Sequence, residues 1–475
     1  MHFVIVGNGI IALSTAYNLL GKIGVDDSIT IVGPSERAGS ATLAAAAMLN
    51  SFAEIGEHSF SSSYDNYHFE LSRRATELWP AFLEGLEGAV NAVDGSSNEF
   101  CCPLVKGTYV LRNTASDELD DKNFNAIVGA CERFDEPHEL LDASQIPNYQ
   151  PDPSVRSASA LLIYNEGWLN PRIVIDLLDI VLAGSSQVST IDASVLSIKS
   201  EGSKVQSLWL DNGDSVTGDI YLLANGAAAG DLVVNSNLGL SMQRVFYGIG
   251  VSLEIKAPGF PHKNCIRTPN RGGACGIYTV PCYQGAGGDD DHIIIGASNF
   301  ISPKPFKHGR LVSVSHLLES AMKEINQNFY DAEVVRINVG WRPTSLDTYP
   351  LVGRTSIDNL VIATGTKRDG FHFAPVLSEF IASILCGHTL EDEMEMFRPE
   401  RPPIRDISRE VAIEMGVDSL VSQHYQHGYR PSGIRMGDQY RDYLRQDLEK
   451  LHDDVGALDW GIHPEMINMY KRKLV

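Results

Sequence analysis

The sequence predicts an α/β fold that combines a doubly wound parallel sheet with an antiparallel sheet and a helical C-terminal extension. Three observations lead to this expectation. The chain opens with an apolar strand, a glycine-rich turn and an amphipathic helix. Residues 240–335 show mostly strand and turn patterns, and the composition changes after a proline-rich junction at 398–403. At 475 residues, the chain is long enough for two or three domains.

The glycine-rich turn follows residues 3–6, an apolar run typical of a strand buried on both faces. Residues 7–12 read Gly-Asn-Gly-Ile-Ile-Ala, which is G-x-G-x-x-A between a strand and a helix. Gly7 permits the tight turn, Gly9 lets the backbone approach a pyrophosphate, and Ala12 allows close helix–strand packing. This context favours a dinucleotide site over an ordinary glycine turn. The candidate binding residues here are Gly7, Gly9, Ile10, Ile11 and Ala12.

Residues 28–32 are predicted to be the second strand of this βαβ unit. A dinucleotide site normally has Asp or Glu at the end of that strand to bind a ribose hydroxyl. Here the position is Gly33, so the acid is missing or displaced. Ser35 and Glu36 are the candidates to replace it.

The composition excludes several classes of partner. Lys+Arg 38 against Asp+Glu 60 gives a net charge of −22, which argues against nucleic acid and anionic membranes. No apolar run reaches membrane-spanning length, and the opening lacks the basic region of a signal peptide. The seven cysteines include no CxxC pair, which fits a cytoplasmic protein with free thiols better than a disulfide framework or zinc site. We predict no metal site and interpret the aspartates at 289–291 as a solvated loop tip.

Further elements follow from periodicity. Residues 66–86 suggest an amphipathic helix broken near Pro80, while residues 94–98 and 113–122 resemble loops. Later elements are predicted in chain order. They are a strand at 160–164, a helix starting near Pro171, a hairpin of 194–198 with 205–210, an apolar segment at 219–227, two segments at 276–281 and 292–297 that flank a Gly- and Asp-rich loop, and a last apolar helix at 376–386.

A run of small residues at 39–49 has two interpretations. By composition, an Ala-rich core helix is slightly preferred over a backbone lying against a flat ligand. However, Ala-Ala-Ala-Met-Leu at 45–49, placed after the N-terminal glycines, resembles the D-amino acid oxidase superfamily, particularly its glycine oxidase-like and sarcosine oxidase-like members. In that family an S-x-x-A-A-G-M-L-type segment runs beside the flavin. Ala47 stands where the family usually has Gly.

A more specific resemblance lies further along the chain. Residues 338–353 and 359–375 resemble the family segments G-x-R-P-x-x-x-D-x-x-P-x-x-G and A-T/A-G-H-x-R-N-G-x-x-x-A-P, in the right order and spacing. Arg342, beside a proline-stiffened turn, would present a fixed fork to a carboxylate. Arg368 lies between Gly365 and Gly370, where backbone amides could face the electron-rich edge of a flavin. An arginine considered alone is more often a surface ion-pair residue. Because both arginines occur within the family pattern, the binding roles are preferred here.

The hairpin of 276–281 with 292–297 resembles the Y-x-V-P…G-A hairpin of glycine oxidase-like enzymes, whose tyrosine faces the substrate. Tyr278 is the matching residue, although an isolated tyrosine is more often a core aromatic. The candidate catalytic residues are Arg342, Tyr278 and Met48. The further candidate cofactor-binding residues are Ser40, Ala41, Thr42, Ala46, Ala47, Met48, Val195, Ala224, Gly226, Arg342, Arg368, Asp369, Gly370, Phe371 and His372.

The resemblance covers roughly residues 1–390 and implies a discontinuous, Rossmann-like FAD-binding domain with an antiparallel-sheet substrate domain. We expect the FAD-binding domain at 1–86, 157–235 and 336–397, the substrate domain at 87–156 and 236–335, and a C-terminal extension at 398–475. The extension has Tyr440, Leu444, Leu448 and Leu451 on one helical face. It could form a subunit interface in a homo-oligomer or cover the active site, but a docked helix without a separate function is slightly favoured.

The function implied by the resemblance is oxidation of the C–N bond of an amino acid or N-substituted glycine. The substrate would be a small amine bearing a carboxylate, with hydride transfer to FAD, hydrolysis of the resulting imine and O2 as acceptor. FAD should be bound non-covalently, because covalent members use Cys near the position of Thr344 or His near Ala44. The alternatives are a flavin dehydrogenase that passes electrons to a carrier, a monooxygenase, or a flavin-binding subunit without turnover.

Overall fold

The computed structural model describes residues 1–94, 101–112, 118–272, 276–282, 291–389, 393–426 and 433–475. The strands in this part of the chain are β1 (His2–Val6), β2 (Ser28–Val32), β3 (Met48–Leu49), β4 (Val105–Leu111), β5 (His138–Asp142), β6 (Ser159–Trp168), β7 (Val188–Ile191), β8 (Val195–Glu201), β9 (Lys204–Leu210), β10 (Ser215–Val216), β11 (Ile220–Leu223), β12 (Val245–Lys256), β13 (Cys265–Arg267), β14 (Tyr278–Pro281), β15 (His292–Gly296), β16 (Phe300–Ser302), β17 (Glu333–Ser345), β18 (Leu351–Arg354) and β19 (Leu360–Thr364).

The α-helices are distributed along the whole chain. They are α1 (Ile10–Leu20), α2 (Ala41–Ala44), α3 (Ser63–Asp94), α4 (Glu118–Arg133), α5 (Pro171–Ala183), α6 (Ala228–Asn235), α7 (Leu311–Ser320), α8 (Ala374–Leu385), α9 (Arg409–Gln426), α10 (Ile434–Asp454) and α11 (Ile467–Lys471). Among the described residues, we find no helix with the length and apolarity needed to cross a membrane.

A six-stranded sheet forms the first layer of the described fold, in the order β18-β19-β11-β1-β2-β7. Its neighbours are parallel except for β18, which pairs antiparallel with β19 at the edge. Helices α1, α5 and α8 pack on one face, while the hairpin of β8 with β9 and helix α6 cover the other. Strands covered on both faces must be apolar throughout, which explains the continuous run in β1. The predicted doubly wound sheet is confirmed.

The second sheet is mixed but largely antiparallel, in the order β16-β12-β15-β14-β13-β4-β6-β3, with β17 paired to β12 and β5 to β6. The predicted pairing of β14 with β15 is present, as is that of β8 with β9. Strand β12 is buried almost along its entire length, so it shows no alternation of exposed residues. Val251, Leu253 and Ile255 share an apolar cluster with Leu317 of α7 on one face. On the opposite face, the Ser252 hydroxyl donates to the carbonyl of Ala44 at 2.9 Å, so both faces are covered.

Three helical features differ from the sequence-based expectation. Helix α3 runs through Pro80 without a break, because its apolar face, including the fully buried Trp79, is held against the core while Pro80 faces solvent. Helix α4 begins at Glu118, within a segment predicted to be a loop, and residues 113–117 lie outside the described part. Helix α7 and the turns after it occupy residues 311–331, where mostly strands were expected.

The remaining expectations concern short segments. Pro171 is the first residue of α5, and the side chain of Asn170 caps the helix by accepting a hydrogen bond from the Arg172 amide at 3.0 Å.

Residues 95–98 and 283–290 lie outside the described residues, and with them most of the acidic loop tip. The described cysteines form no disulfide.

The C-terminal extension folds onto the substrate-side sheet. Helices α9 and α10 pack together and contact Phe246 of β12 and Ile301 of β16 through a shared apolar cluster. Leu444, Leu448 and Leu451 are buried in it, and Tyr440 is partly buried against it. The predicted apolar face of α10 is therefore confirmed.

Candidate active site

A cavity of about 380 Å³, here the inner cavity, opens where β1, β2 and β11 end. Carboxyl ends of parallel strands commonly form ligand sites at this place in doubly wound sheets. Most of the candidate residues line it, although they come from distant parts of the chain. They are Gly7, Gly9, Ile10, Ile11, Ser40, Ala41, Thr42, Ala46, Ala47, Met48, Val195, Ala224, Gly226, Tyr278, Arg342, Arg368, Asp369, Gly370, Phe371 and His372.

The turn between β1 and α1 approaches its neighbour closely. Gly7 has φ +116°, and a Cβ there would lie 2.5 Å from the carbonyl oxygen of Ala224. The N-cap of α1 is Gly9, which contributes no side-chain cap, while the amide of Ile10 donates to Thr42 Oγ1 at 3.2 Å. The first turn of α1 therefore directs its amides and positive dipole end toward the inner cavity.

Ala12, Ser35 and Glu36 are the candidates that do not line the inner cavity. Ala12 is fully buried between α1 and the sheet, in agreement with a packing role. Ser35 instead contacts Asp192, to which both its amide and hydroxyl donate at 2.8 Å. Glu36 is exposed. The structure thus provides no support for a ribose contact from either residue.

The strand-end position at Gly33 is filled by a neighbouring side chain. A Cβ on Gly33 would lie 2.7 Å from Cγ of Asn8, whose amide donates to the carbonyl of Pro34 at 2.8 Å. Arg37 lines the cavity here and pairs with Asp179 through two contacts of 2.7 and 2.8 Å. An acid at residue 33 would collide with Asn8, which gives a packing reason for its absence.

The alanine run forms a short helix and then an extended segment beside the cavity. Helix α2 ends at Ala44, and Ala47 adopts φ +48°. This left-handed conformation favours glycine and costs about 1–2 kcal/mol for another residue. It accounts for the glycine that the family usually has here, and it shows that the run is not the core helix that composition alone favoured.

Arg342 lies on β17, and its guanidinium rests on the backbone of the adjacent strand β12. A Cβ on Gly250 would lie 2.4 Å from Cζ of Arg342, so the guanidinium occupies the space of a missing side chain. Its Nη1 donates to the Ser298 carbonyl at 3.1 Å and to Oδ1 of Asn299 at 3.2 Å. These contacts hold the fork at the cavity wall. Gly250 and Asn299 were not found by sequence reasoning, because their importance comes from strand pairing.

Tyr278 lies in the same cavity on β14 and is buried. It pairs with Gly296 of β15, and a Cβ at Gly296 would lie 2.2 Å from Cζ of the tyrosine ring. The ring therefore occupies the space that a side chain at Gly296 would need. This position shows why the residue paired with Tyr278 is glycine.

The segment before α8 contributes the remaining wall. Burial lowers the pKa of His372 to about 4, so the imidazole is neutral at pH 7, and its Nε2 contacts Thr76 Oγ1 at 2.7 Å. Burial opposes ionisation of Asp369, but the hydrogen bond and charge of His68, 3.3 Å away, outweigh it and lower the pKa of that carboxyl. The partners of His372 and Asp369, Thr76 and His68, both belong to α3. These contacts between distant segments could not be predicted from the sequence.

A second cavity of about 580 Å³, here the outer cavity, adjoins the first. Residues 403–408 and 460–465 of the C-terminal extension line it. The residues shared by the two cavities are Asn50, Glu54, Lys367, Arg368 and Asp369. From the sequence, the extension could be a subunit interface, a cover over the active site or a docked helix. In the structure, it forms one wall of the outer cavity.

The profile of the DAO family, described as FAD dependent oxidoreductase, matches residues 2–384. The chain belongs to this family. Among curated proteins, the bifunctional protein ThiO/ThiG of Trichormus variabilis is 23% identical over 414 residues, covering 84% of this chain and 54% of that protein. Its counterpart from a Nostoc species is 26% identical over 185 residues, covering 38% of this chain and 25% of that protein. The chain spans about half the length of the first relative.

Solved structures show the same fold. Glycine oxidase from Geobacillus kaustophilus superimposes with a TM-score of 0.68 at 23% identity, covering 84% of this chain and 98% of that chain. Iminodiacetate oxidase from Chelativorans sp. BNC1 gives a TM-score of 0.67 at 20% identity, with coverages of 84% and 98%. The family match ends near α8, so the extension lies beyond it.

The residues around the inner cavity of this DAO-family chain fit a dinucleotide. Gly7 lets the turn pack against the backbone of Ala224, and the start of α1, where Gly9 contributes no side-chain cap, favours a pyrophosphate. Oδ1 of Asn225 is buried at the cavity wall without a hydrogen-bond partner among the described residues. A buried oxygen of this kind requires a donor, which a bound ligand can supply.

Proposed function

We propose that this protein oxidises the C–N bond of an amino acid or N-substituted glycine. When bound, FAD supplies the two-electron chemistry by accepting a hydride, and O2 is the proposed final acceptor. The substrate loses two electrons and two protons to become an imine, which water hydrolyses to a carbonyl compound and ammonia or an amine. The observation that carries the proposal is the Arg342 guanidinium on Gly250 in the wall of the inner cavity.

The proposed role of Arg342 is to bind the substrate carboxylate. A guanidinium offers two parallel N–H donors, which match the two oxygens of a carboxylate. Tyr278 and Met48 line the same cavity and would orient the substrate carbon while limiting access of water. We propose no side chain as general base, because the amine can react as its free base.

The cofactor-binding role is assigned to the cavity residues around α1, the alanine run and the segment before α8. We further propose that the FAD-binding unit is drawn from residues 1–86, 157–235 and 336–397. Strands β3, β6 and β17 of these ranges belong to the second sheet rather than to the six-stranded one. The substrate-side unit then comprises residues 87–156 and 236–335, with the extension added at 398–475. The cofactor carries the difficult chemistry, and these residues would bind and orient it.

An anaerobic screen of amino acids and amines tests the proposal. Loss of the visible flavin absorbance on addition of a carboxylate-bearing amine supports it, and the same amine lacking the carboxylate serves as the matched control. Admission of O2 should then restore the absorbance and produce hydrogen peroxide. Reduction without peroxide formation would favour the dehydrogenase or monooxygenase alternative. No reduction by any member of the panel would favour a non-catalytic flavin subunit.

A further inference from the structure

The C-terminal extension inserts one carboxylate into the wall between the two cavities. Glu465 follows His463 in a short helical turn, and its side chain is 5% exposed. One of its oxygens, Oε1, lies 2.7 Å from Nζ of Lys367 and 3.8 Å from Nη2 of Arg368. Both cations belong to the wall that the cavities share.

The second oxygen of Glu465 connects to the proposed substrate arginine. Nδ2 of Asn299 donates to Oε2 at 3.0 Å, and Oδ1 of the same amide accepts from Nη1 of Arg342 at 3.2 Å. An amide has donors at one end and acceptors at the other. Glu465 therefore selects the orientation of Asn299 in which its oxygen faces Arg342.

The positive charges of Lys367 and Arg368 favour a carboxylate at position 465. Burial raises the pKa of Glu465, but the charges of Lys367 and Arg368 outweigh it and lower the pKa to about 2. The residue is thus ionised at pH 7. Without it, two neighbouring cations would repel each other in a poorly solvated place.

We propose that Glu465 is a positioning residue of the active site, which orients Arg342 through Asn299 and holds Lys367 and Arg368 at the shared wall. The family match ends at residue 384, so the extension supplies this group from outside the common fold. The inference rests on the proposed function, in which Arg342 binds the substrate carboxylate.

Acetate is a suitable probe, because it carries the carboxylate and cannot be oxidised as an amine. We would titrate the FAD-loaded full-length protein with acetate and follow the perturbation of the flavin spectrum. Glu465→Ala should weaken acetate binding about tenfold, the effect of one lost charge-assisted hydrogen bond. Glu465→Gln, which keeps an acceptor oxygen, should show a smaller loss. Asp459→Asn is the control, since it removes an exposed acid from the same segment.

A double-mutant cycle tests the route through Asn299. If Glu465 acts on Arg342 through Asn299, both single variants should weaken acetate binding, and the double variant should bind acetate no more weakly than Glu465→Ala alone. Additive losses would overturn the route. A purely structural Glu465 would lower the unfolding temperature of the folded variants and leave acetate affinity unchanged. If Glu465→Ala fails to retain FAD, Glu465→Gln and Asn299→Ala decide the question.

Arg342→Ala separates this inference from the function on which it rests. If that variant binds acetate as tightly as the unmodified protein, the carboxylate role of Arg342 and the proposed function fail together. If Arg342→Ala weakens binding while both Glu465 variants and Asp459→Asn leave it unchanged, the positioning role of Glu465 alone is overturned.

Discussion

The conformation of Arg342 depends on the absence of a side chain at Gly250. The two residues lie on adjacent strands, and a Cβ at Gly250 would lie 2.4 Å from Cζ of the arginine. We expect Gly250→Ala to displace the guanidinium and raise the apparent KM about tenfold, because a displacement of about 1 Å in a positioned group has large effects on activity. Steady-state kinetics and flavin content would be measured together.

Gly129→Ala is the matched control for Gly250→Ala, because a Cβ at Gly129 meets nothing within 4 Å. It should leave KM unchanged and, in a helix, stabilise the protein slightly. An unchanged KM in a flavin-loaded Gly250→Ala protein would contradict the assigned position of Arg342.

Removal of the Arg342 guanidinium tests its role directly. Arg342→Ala should cost about 2–5 kcal/mol in substrate binding, the range for truncating one partner of a buried charge pair. This corresponds to about 30-fold or more in apparent KM. Arg342→Lys should recover only part of the loss, since an ammonium cannot make the two-pronged contact. Arg336→Ala, at an exposed position of the same strand, provides the control.

The mode of FAD attachment is also decided by single residues. The resemblance implies that covalent relatives carry Cys near the position of Thr344 or His near that of Ala44. The Thr344 hydroxyl donates to the Arg342 carbonyl at 3.3 Å, and neither residue supplies the thiol or imidazole that those linkages use. Acid precipitation should therefore release all yellow colour into the supernatant. Flavin retained in the washed pellet would refute non-covalent binding.

At the scale of elements, α3 shows tertiary packing overriding a local signal. Pro80 removes one backbone hydrogen bond from the helix interior, yet the helix continues to Asp94. We expect Pro80→Ala to raise the free energy of unfolding by up to about 3 kcal/mol, because the missing N–H is restored and the ring clash relieved. Thermal unfolding of the FAD-loaded protein would show a higher midpoint. Glu84→Ala on the same exposed surface should be nearly neutral, and a lower midpoint for Pro80→Ala would refute the argument.

Elements set by contacts between neighbouring residues could be predicted from the sequence, whereas elements set by contacts with distant residues could not. The β1–α1 turn was predicted because its glycines and the flanking strand and helix are contiguous. Helix α7 was missed among strands, and the first five residues of α4 were placed in a loop. The apolar faces of both helices are defined by distant partners. Local periodicity contains no information about those partners.

For the whole molecule, the extension is a structural part of the fold rather than an appendage. Leu448 is fully buried, and a Cβ on Gly416 of α9 would lie 2.8 Å from its Cδ1. Leu448→Ala should therefore lower the free energy of unfolding by about 2–5 kcal/mol. Leu458→Ala is the control, since Leu458 is 71% exposed. Equal unfolding midpoints for the two variants would contradict close packing of α10 on α9.

The sequence by itself determined the family, the doubly wound sheet and most of the candidate site. These features come from motifs whose residues are close together in the sequence. In such motifs the spacing of the glycines, strands and helices directly determines the local structure. The tertiary structure alone decided that Gly250 makes room for Arg342, that Asn8 fills the strand end at Gly33, and that Glu465 reaches the shared wall. Each of these contacts joins segments that are distant along the chain. Their geometry is set by strand pairing and helix packing, which no local pattern encodes.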